Sequence, residues 1–203
     1  MKKLLLAAAM LSVSVSAHAS IIPTLTSVTP TGSDFTWLYQ GTLAGDQGLQ
    51  SGSKLVILDF RGYVPGSISP DGAPFTASVE NVTSGIILPF GQTDDPTIAN
   101  LVFTYNGPDF HTTGGPFKSV DFSGLSAESM FGGFRKGVFS AVAEKNNGVG
   151  PGGTGTITYN TGYTSTPGTG IPEPATWALT LCGFGLLGAT LRGSRRQRAG
   201  QTA

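Results

Sequence analysis

Between residues 35 and 161 no apolar run lasts more than a few residues before Gly, Pro, Asn or Asp interrupts it. Such punctuation is how strands joined by turns read, and it leaves little room for long amphipathic helices. The candidate strands are 35–43, 54–63, 75–82, 85–88, 100–105, 119–122, 136–143 and 155–161. Residues 54–63 contain the continuous run Leu55-Val56-Ile57-Leu58 and then alternate around Phe60, whereas 100–105 alternates cleanly. Only 125–131 could make a helical turn. Gly, Thr and Ser are abundant, and the helix formers Glu, Lys and Ala are sparse away from the two ends. The expectation is an all-β domain, an antiparallel β-sandwich of jelly-roll-like or Ig-like type. A parallel β-solenoid would need a fixed repeat of roughly 20 residues, and none is visible.

The two ends of the chain read as addresses. Lys2 and Lys3 precede the apolar stretch 4–15, and Ala17-His18-Ala19 supplies the small residues of a cleavage site before Ser20. Residues 1–19 are therefore expected to be a secretory signal peptide, which makes the Sec translocon and signal peptidase partners. At the other end, 175–191 carries no charge and as a helix would nearly cross a hydrocarbon core of about 30 Å. Arg192, Arg195, Arg196 and Arg198 follow at once and resist translocation, so the expected topology leaves the tail in the cytoplasm and the preceding domain outside. Pro172 and Pro174 keep the junction extended and present Glu173 on exposed backbone, as a processing enzyme requires.

These residues carry a resemblance. Pro172-Glu173-Pro174, Trp177-Ala178, Gly183-Phe184-Gly185-Leu186-Leu187-Gly188 and the closing arginines resemble the PEP-CTERM sorting signal of Gram-negative bacteria, also known as the ice-binding protein C-terminal domain. Gly193, Ser194 and Gln197 interrupt the usual solid arginine block. The resemblance covers 171–203 and implies recognition by exosortase, a membrane transpeptidase-like enzyme, with processing near the Pro-Glu-Pro motif. It also implies cargo associated with exopolysaccharide or biofilm. More loosely, Trp37-Leu38-Tyr39, Leu58-Asp59-Phe60 with Gly62, Asp94-Asp95-Pro96, Asn100-Leu101 and Phe103-Thr104-Tyr105-Asn106-Gly107 resemble a group of PEP-CTERM exported proteins with no assigned activity.

The cargo is expected to be one domain over 20–160, followed by a flexible linker at 161–170. Its charge differs from the chain's overall balance of zero. Lys54, Arg61, Lys118, Arg135, Lys136 and Lys145 stand against eleven acidic side chains between 20 and 170. Nucleic acid needs a basic footprint to displace counterions, so a nucleic-acid partner is not expected. The single cysteine, Cys182, falls in the apolar tail, so the cargo must hold together without a disulfide.

Motifs with chemistry lack their contexts. Two stretches beginning at Gly148 and Gly183 match the dinucleotide fingerprint, yet neither sits between a strand and a helix N-terminus, so no cofactor is expected. The run ending in Asp59 resembles a Walker-B strand without any phosphate-cradling loop. His111 is the cargo's one histidine and reads as a surface loop residue, which excludes a triad or a two-histidine metal site. Asp94, Asp95, Asp109 and Asp121 bracket a loop-rich region where calcium or plain turn capping would suit carboxylates, and no recognised calcium loop is present; no metal is assigned. Trp37, Tyr39, Tyr63, Tyr105, Tyr159 and Tyr163 offer either core packing or a carbohydrate platform. Thr154, Thr156 and Thr158 make one row at strand spacing, too few for an ice-binding array.

The sequence therefore reads as an exported, non-enzymatic protein sorted to the cell surface or exopolysaccharide matrix. A carbohydrate-binding module is the alternative, and a polysaccharide hydrolase a third.

Overall fold

The computed structural model describes residues 21–45, 47–112, 119–145 and 156–169. These are all-β, with antiparallel pairing throughout and no helix among them. The strands are β1 (Ile21–Thr31), β2 (Asp34–Leu43), β3 (Gln47–Leu49), β4 (Lys54–Ile57), β5 (Ser69–Pro70), β6 (Phe75–Glu80), β7 (Asn100–Tyr105), β8 (Phe110–His111), β9 (Val120–Ser129), β10 (Gly133–Lys145) and β11 (Thr156–Gly168). One sheet runs β1-β2-β9-β5, and the other runs β6-β7-β4-β10-β3-β8 with β11 added to β10.

The second sheet is simpler than its strand count. Val142 of β10 faces Lys54 of β4, and Glu144 faces Gly48 of β3, so β3 and β4 form a single line interrupted at 50–53. On their far side β7 and β8 repeat the interruption, with Lys54 opposite Thr104 and Gly48 opposite His111. The two breaks are stitched together, Gly52 N donating to Tyr105 O at 3.0 Å and Tyr105 N to Ser53 O at 2.7 Å.

Side-chain period explains the layering. On β2 Trp37, Tyr39, Gly41 and Leu43 are buried while their neighbours are not, and β9 answers with Leu125, Ala127 and Ser129. These meet Leu55, Ile57, Leu101, Phe103, Phe139 and Ala141 of the other sheet in one core. Val56, Leu58 and Val102 point the other way and are covered by Ile86 and Leu88 from the long β6-to-β7 connection. The continuous run Leu55-Val56-Ile57-Leu58 is thus apolar because both of its faces are buried. Two polar handles tie the layers together: Trp37 Nε1 donates to Phe131 O at 3.0 Å, and Tyr39 OH to Ser165 O at 2.9 Å.

Several expectations are corrected. Residues 21–31, read without an element, form an edge strand, where Pro23 and Pro30 are tolerated because one side of the backbone has no ladder to complete. Residues 125–131 hold no helical turn: Leu125 pairs with Tyr39 and Ala127 with Trp37, and burial of those side chains outweighs local propensity. Residues 85–88 are a covering segment rather than a strand. The linker expected from Thr161 is strand as far as Gly168, so the folded unit runs past 160. Its Gly and Thr content reads as flexible, but Thr161 Oγ1 donates to Phe139 O, Thr164 Oγ1 donates to Pro23 O, and the Phe139 ring fills the space over Gly162.

Candidate functional site

The residues of the expected signal peptide and of the expected sorting tail lie outside the described residues. This holds for Ala17, Ala19 and Ser20, for Pro172, Glu173 and Pro174, for Arg192, Arg195, Arg196 and Arg198, and for Cys182. The cargo's own residues can be sorted.

The tyrosines and tryptophan divide sharply. Trp37 and Tyr39 are wholly buried, and burial pushes the Tyr39 phenol far above the usual tyrosine range. Tyr105 is also buried, its hydroxyl donating to Pro108 O. Tyr63 is half-buried and accepts from Gly66 N. Tyr159 and Tyr163 remain, 42% and 46% exposed. Both lie on β11 at even spacing, so they share one face of the strand, about 13 Å apart at 3.3 Å per residue. That face is the outer one: Tyr159 stands opposite Val142 and Tyr163 opposite Val138, and Val138 packs on the outward cluster.

A cation flanks the row. Lys136 Nζ lies 3.6 Å from the centre of the Tyr163 ring. Beside it a groove of about 410 Å³ is lined by Phe134, Arg135, Lys136, Tyr163, Thr164 and Ser165. Phe134 is 60% exposed although its ring meets Trp37 edge-on, so the core's aromatic stack surfaces here. Arg135 Nη1 is buried with no hydrogen-bond partner. Burial and the nearby Arg61 charge lower its pKa, with Asp59 opposing them.

The carboxylates do not converge on such a groove. Asp121 accepts from Thr42 Oγ1 in the first sheet. Asp95 Oδ1 accepts from Thr97 N at 2.9 Å and Thr97 Oγ1 at 2.7 Å, which caps its turn and lowers its pKa. Asp94 accepts both contacts of Asn100 Nδ2, at 2.9 and 3.0 Å, and Asn100 Oδ1 accepts from Asp59 N. These bonds pin the β6-to-β7 connection to the ends of β4 and β7. Among the described residues no group of three metal-ligating side chains gathers.

His111 is corrected. It is 4% exposed on β8, not in a surface loop, and neither ring nitrogen has a partner. Glu144, which the sequence reading passed over, lies two strands away, 1% exposed and with Oε1 unpartnered. Thr158 Oγ1 donates to Gln47 Oε1, so this member of the threonine row is spent within the fold.

The chain matches no family model, no curated protein and no solved structure. The arrangement itself presents a surface with two tyrosine rings, the Lys136 ammonium and an open groove, and among the described residues no acid and base converge on it. Lys136 and Phe134 were missed as site residues in the sequence, where neither stands out. Phe134 pairs with Pro167 and Lys136 with Ser165, one diagonal step from Tyr163, and that register is what brings them together.

Proposed function

We propose that this chain is an exported, non-catalytic β-sandwich of jelly-roll-like or Ig-like type, whose C-terminal segment 175–191 holds it in the inner membrane. In this reading signal peptidase cuts after Ala19, exosortase processes the chain near Pro172-Glu173-Pro174, and the domain reaches the cell surface or exopolysaccharide matrix. Supporting it is the order of charge and hydropathy at the tail, Pro-Glu-Pro, uncharged run and arginines, set just after the end of the fold. β11 runs to Gly168, and three residues separate it from Pro172, a reach of at most about 14 Å. The cargo would then be delivered as a finished domain adjoining its own processing signal. Deleting 171–203 and measuring intact mass in inner membrane, surface and medium fractions tests this. Wild-type surface material trimmed after Ala19 and near Pro172, with the deletion lost from the surface, is the expected result. An unchanged distribution, or an intact tail found only in the inner membrane, would overturn it.

A second reading is carbohydrate binding, favoured by Tyr159 and Tyr163 standing exposed on one strand face. Sugar rings stack on such faces while the phenol and neighbouring donors fix their hydroxyls. Silence of the purified full chain on a glycan array would count against it.

A further inference from the structure

We propose that the end of the sandwich from which β11 departs rests on the lipid bilayer, with Val82, Met130 and Phe134 seated among the headgroups. The inference rests on the reading above that 175–191 holds the chain in the membrane, and adds which face of the domain meets the lipid.

Strand register gathers this face from segments remote in sequence. Gly168, the last residue of β11, stands opposite Gly133, the first of β10, so the chain leaves the fold beside the turn that joins β9 to β10. Met130 lies in that turn, and Phe134 pairs with Pro167, one step inside Gly168. Val82 follows Glu80, which pairs with Asn100 at the same end, where Phe60 N donates to Ala99 O. Val82, Met130 and Phe134 are 64%, 60% and 60% exposed. A recess of about 410 Å³ opens between the two turns, lined by Tyr63, Ile98 and Phe131 with Arg61 and Asn81 among its polar residues. Clustered apolar exposure of this kind marks a contact surface.

The backbone under these side chains is already fixed. Met130 N donates to Gly62 O at 2.8 Å, and Thr83, next to Val82, is buried with its amide donating to Asp94 Oδ2 at 3.3 Å. Docking then orders little that was free, which keeps its entropy cost low.

Chain length decides which end can meet the lipid. From Gly168 to Ala175 is seven residue steps, at most about 25 Å. β10 is 13 residues long, about 40 Å, so the domain cannot turn over to set its Lys145 end on the bilayer. The leash also makes the contact intramolecular, and at such an effective concentration a few apolar side chains entering the headgroup boundary suffice.

The test is quenching of the full chain reconstituted in vesicles of phosphatidylethanolamine and phosphatidylglycerol that carry a nitroxide lipid at headgroup level. An environment-sensitive dye is placed on Cys182 of the native chain, or on Met130→Cys, Val82→Cys or Ser51→Cys in a Cys182→Ser background. The three added sites are exposed, and Ser51 lies at the opposite end, on the turn where Gly52 N donates to Tyr105 O. Dyes at 82 and 130 are expected to be blue-shifted and quenched at least ~3-fold more than the dye at 51. Val82→Asp, which puts a charge on the contact, should lower quenching at 130 at least ~2-fold, with an unchanged circular dichroism spectrum. Equal quenching at 51 and 130, or quenching at 130 that Val82→Asp leaves unchanged, would overturn the contact; a blue-shifted dye on Cys182 would then show that the anchor still stands. A dye on Cys182 that remains in water would overturn the anchor and the contact together.

Discussion

Glu144 and His111 lie on the same face of one sheet, two strands apart, with Gly48 alone between them. Both are buried, and Glu144 Oε1 and both imidazole nitrogens lack partners. Gly48 makes the approach possible: a Cβ there would stand 2.7 Å from His111 Nδ1 and 2.8 Å from Phe110 O. Burying a polar atom without a partner costs about 1–3 kcal/mol. Glu144→Met keeps the chain length and removes that oxygen, so the variant should be more stable by roughly this amount in urea denaturation. A loss of stability would mean that the carboxylate has a partner in solution.

Gly124 sits at φ +87°, where the β2 and β9 register shifts, and a Cβ there would run into the carbonyl of Asp71. Gly124→Ala meets both the left-handed backbone penalty and that contact. A destabilisation of about 2–4 kcal/mol is expected from thermal melts, against about 1–2 kcal/mol for Gly91→Ala, which carries the positive-φ penalty alone with open space around it.

Asp59 is the one non-glycine residue with positive φ among the described residues, at 51°, a conformation that Asp and Asn tolerate best. Desolvation raises its pKa; the hydrogen bond from Asp95 N lowers it less, Asp94 adds to the rise, and Arg135 opposes it. The folded state therefore holds this proton more tightly than the unfolded chain, and stability falls as pH rises from the unfolded pKa near 3.8 through the raised folded value. Asp59→Asn keeps the acceptor and the backbone preference but removes the titration. It should melt higher than the parent at pH 7 and coincide with it at about pH 3, below the unfolded pKa. A gap that persists at low pH would rule out this cause.

Asn100 is fully buried and joins three segments through Asp59 N, Asp94 and Thr83 Oγ1. Asn100→Leu leaves the Asp94 carboxylate and the Asp59 amide without these bonds. A loss of about 2–4 kcal/mol is expected, with faster hydrogen exchange concentrated in 81–99 while β2 and β9 keep their protection. Uniform loss of protection would instead mark Asn100 as part of the global core.

Much of the fold was legible because its signals are local. The run at Leu55-Val56-Ile57-Leu58 and the alternation over Asn100–Tyr105 gave β4 and β7 directly, since strand period and burial leave their mark on consecutive residues. Residues 21–31, 125–131 and 161–168 misled because their prolines, helix formers and glycines speak to local preference. Pairing overrules it: 21–31 with the adjacent β2 in a hairpin, 125–131 with the same strand about ninety residues earlier, and 161–168 with β10. The acidic turn at Asp95 was readable as a cap, its partner Thr97 being two residues away. His111 was not, because its burial arises from strands whose contact with it no local pattern encodes.

By itself the sequence determined the all-β class and the acidic balance of residues 20–170, both of which depend on composition or on residues adjacent in the chain. Only the tertiary structure decided which aromatics are core and which are surface. Trp37 and Tyr163 are both aromatic residues of antiparallel strands; what separates them is which face of their sheet meets the other. It also decided that Lys136 rests on an exposed tyrosine and that His111 and Glu144 share a buried face. Strand pairing joins residues tens of positions apart at a spacing of about 4.8 Å, and no short-range pattern carries that register.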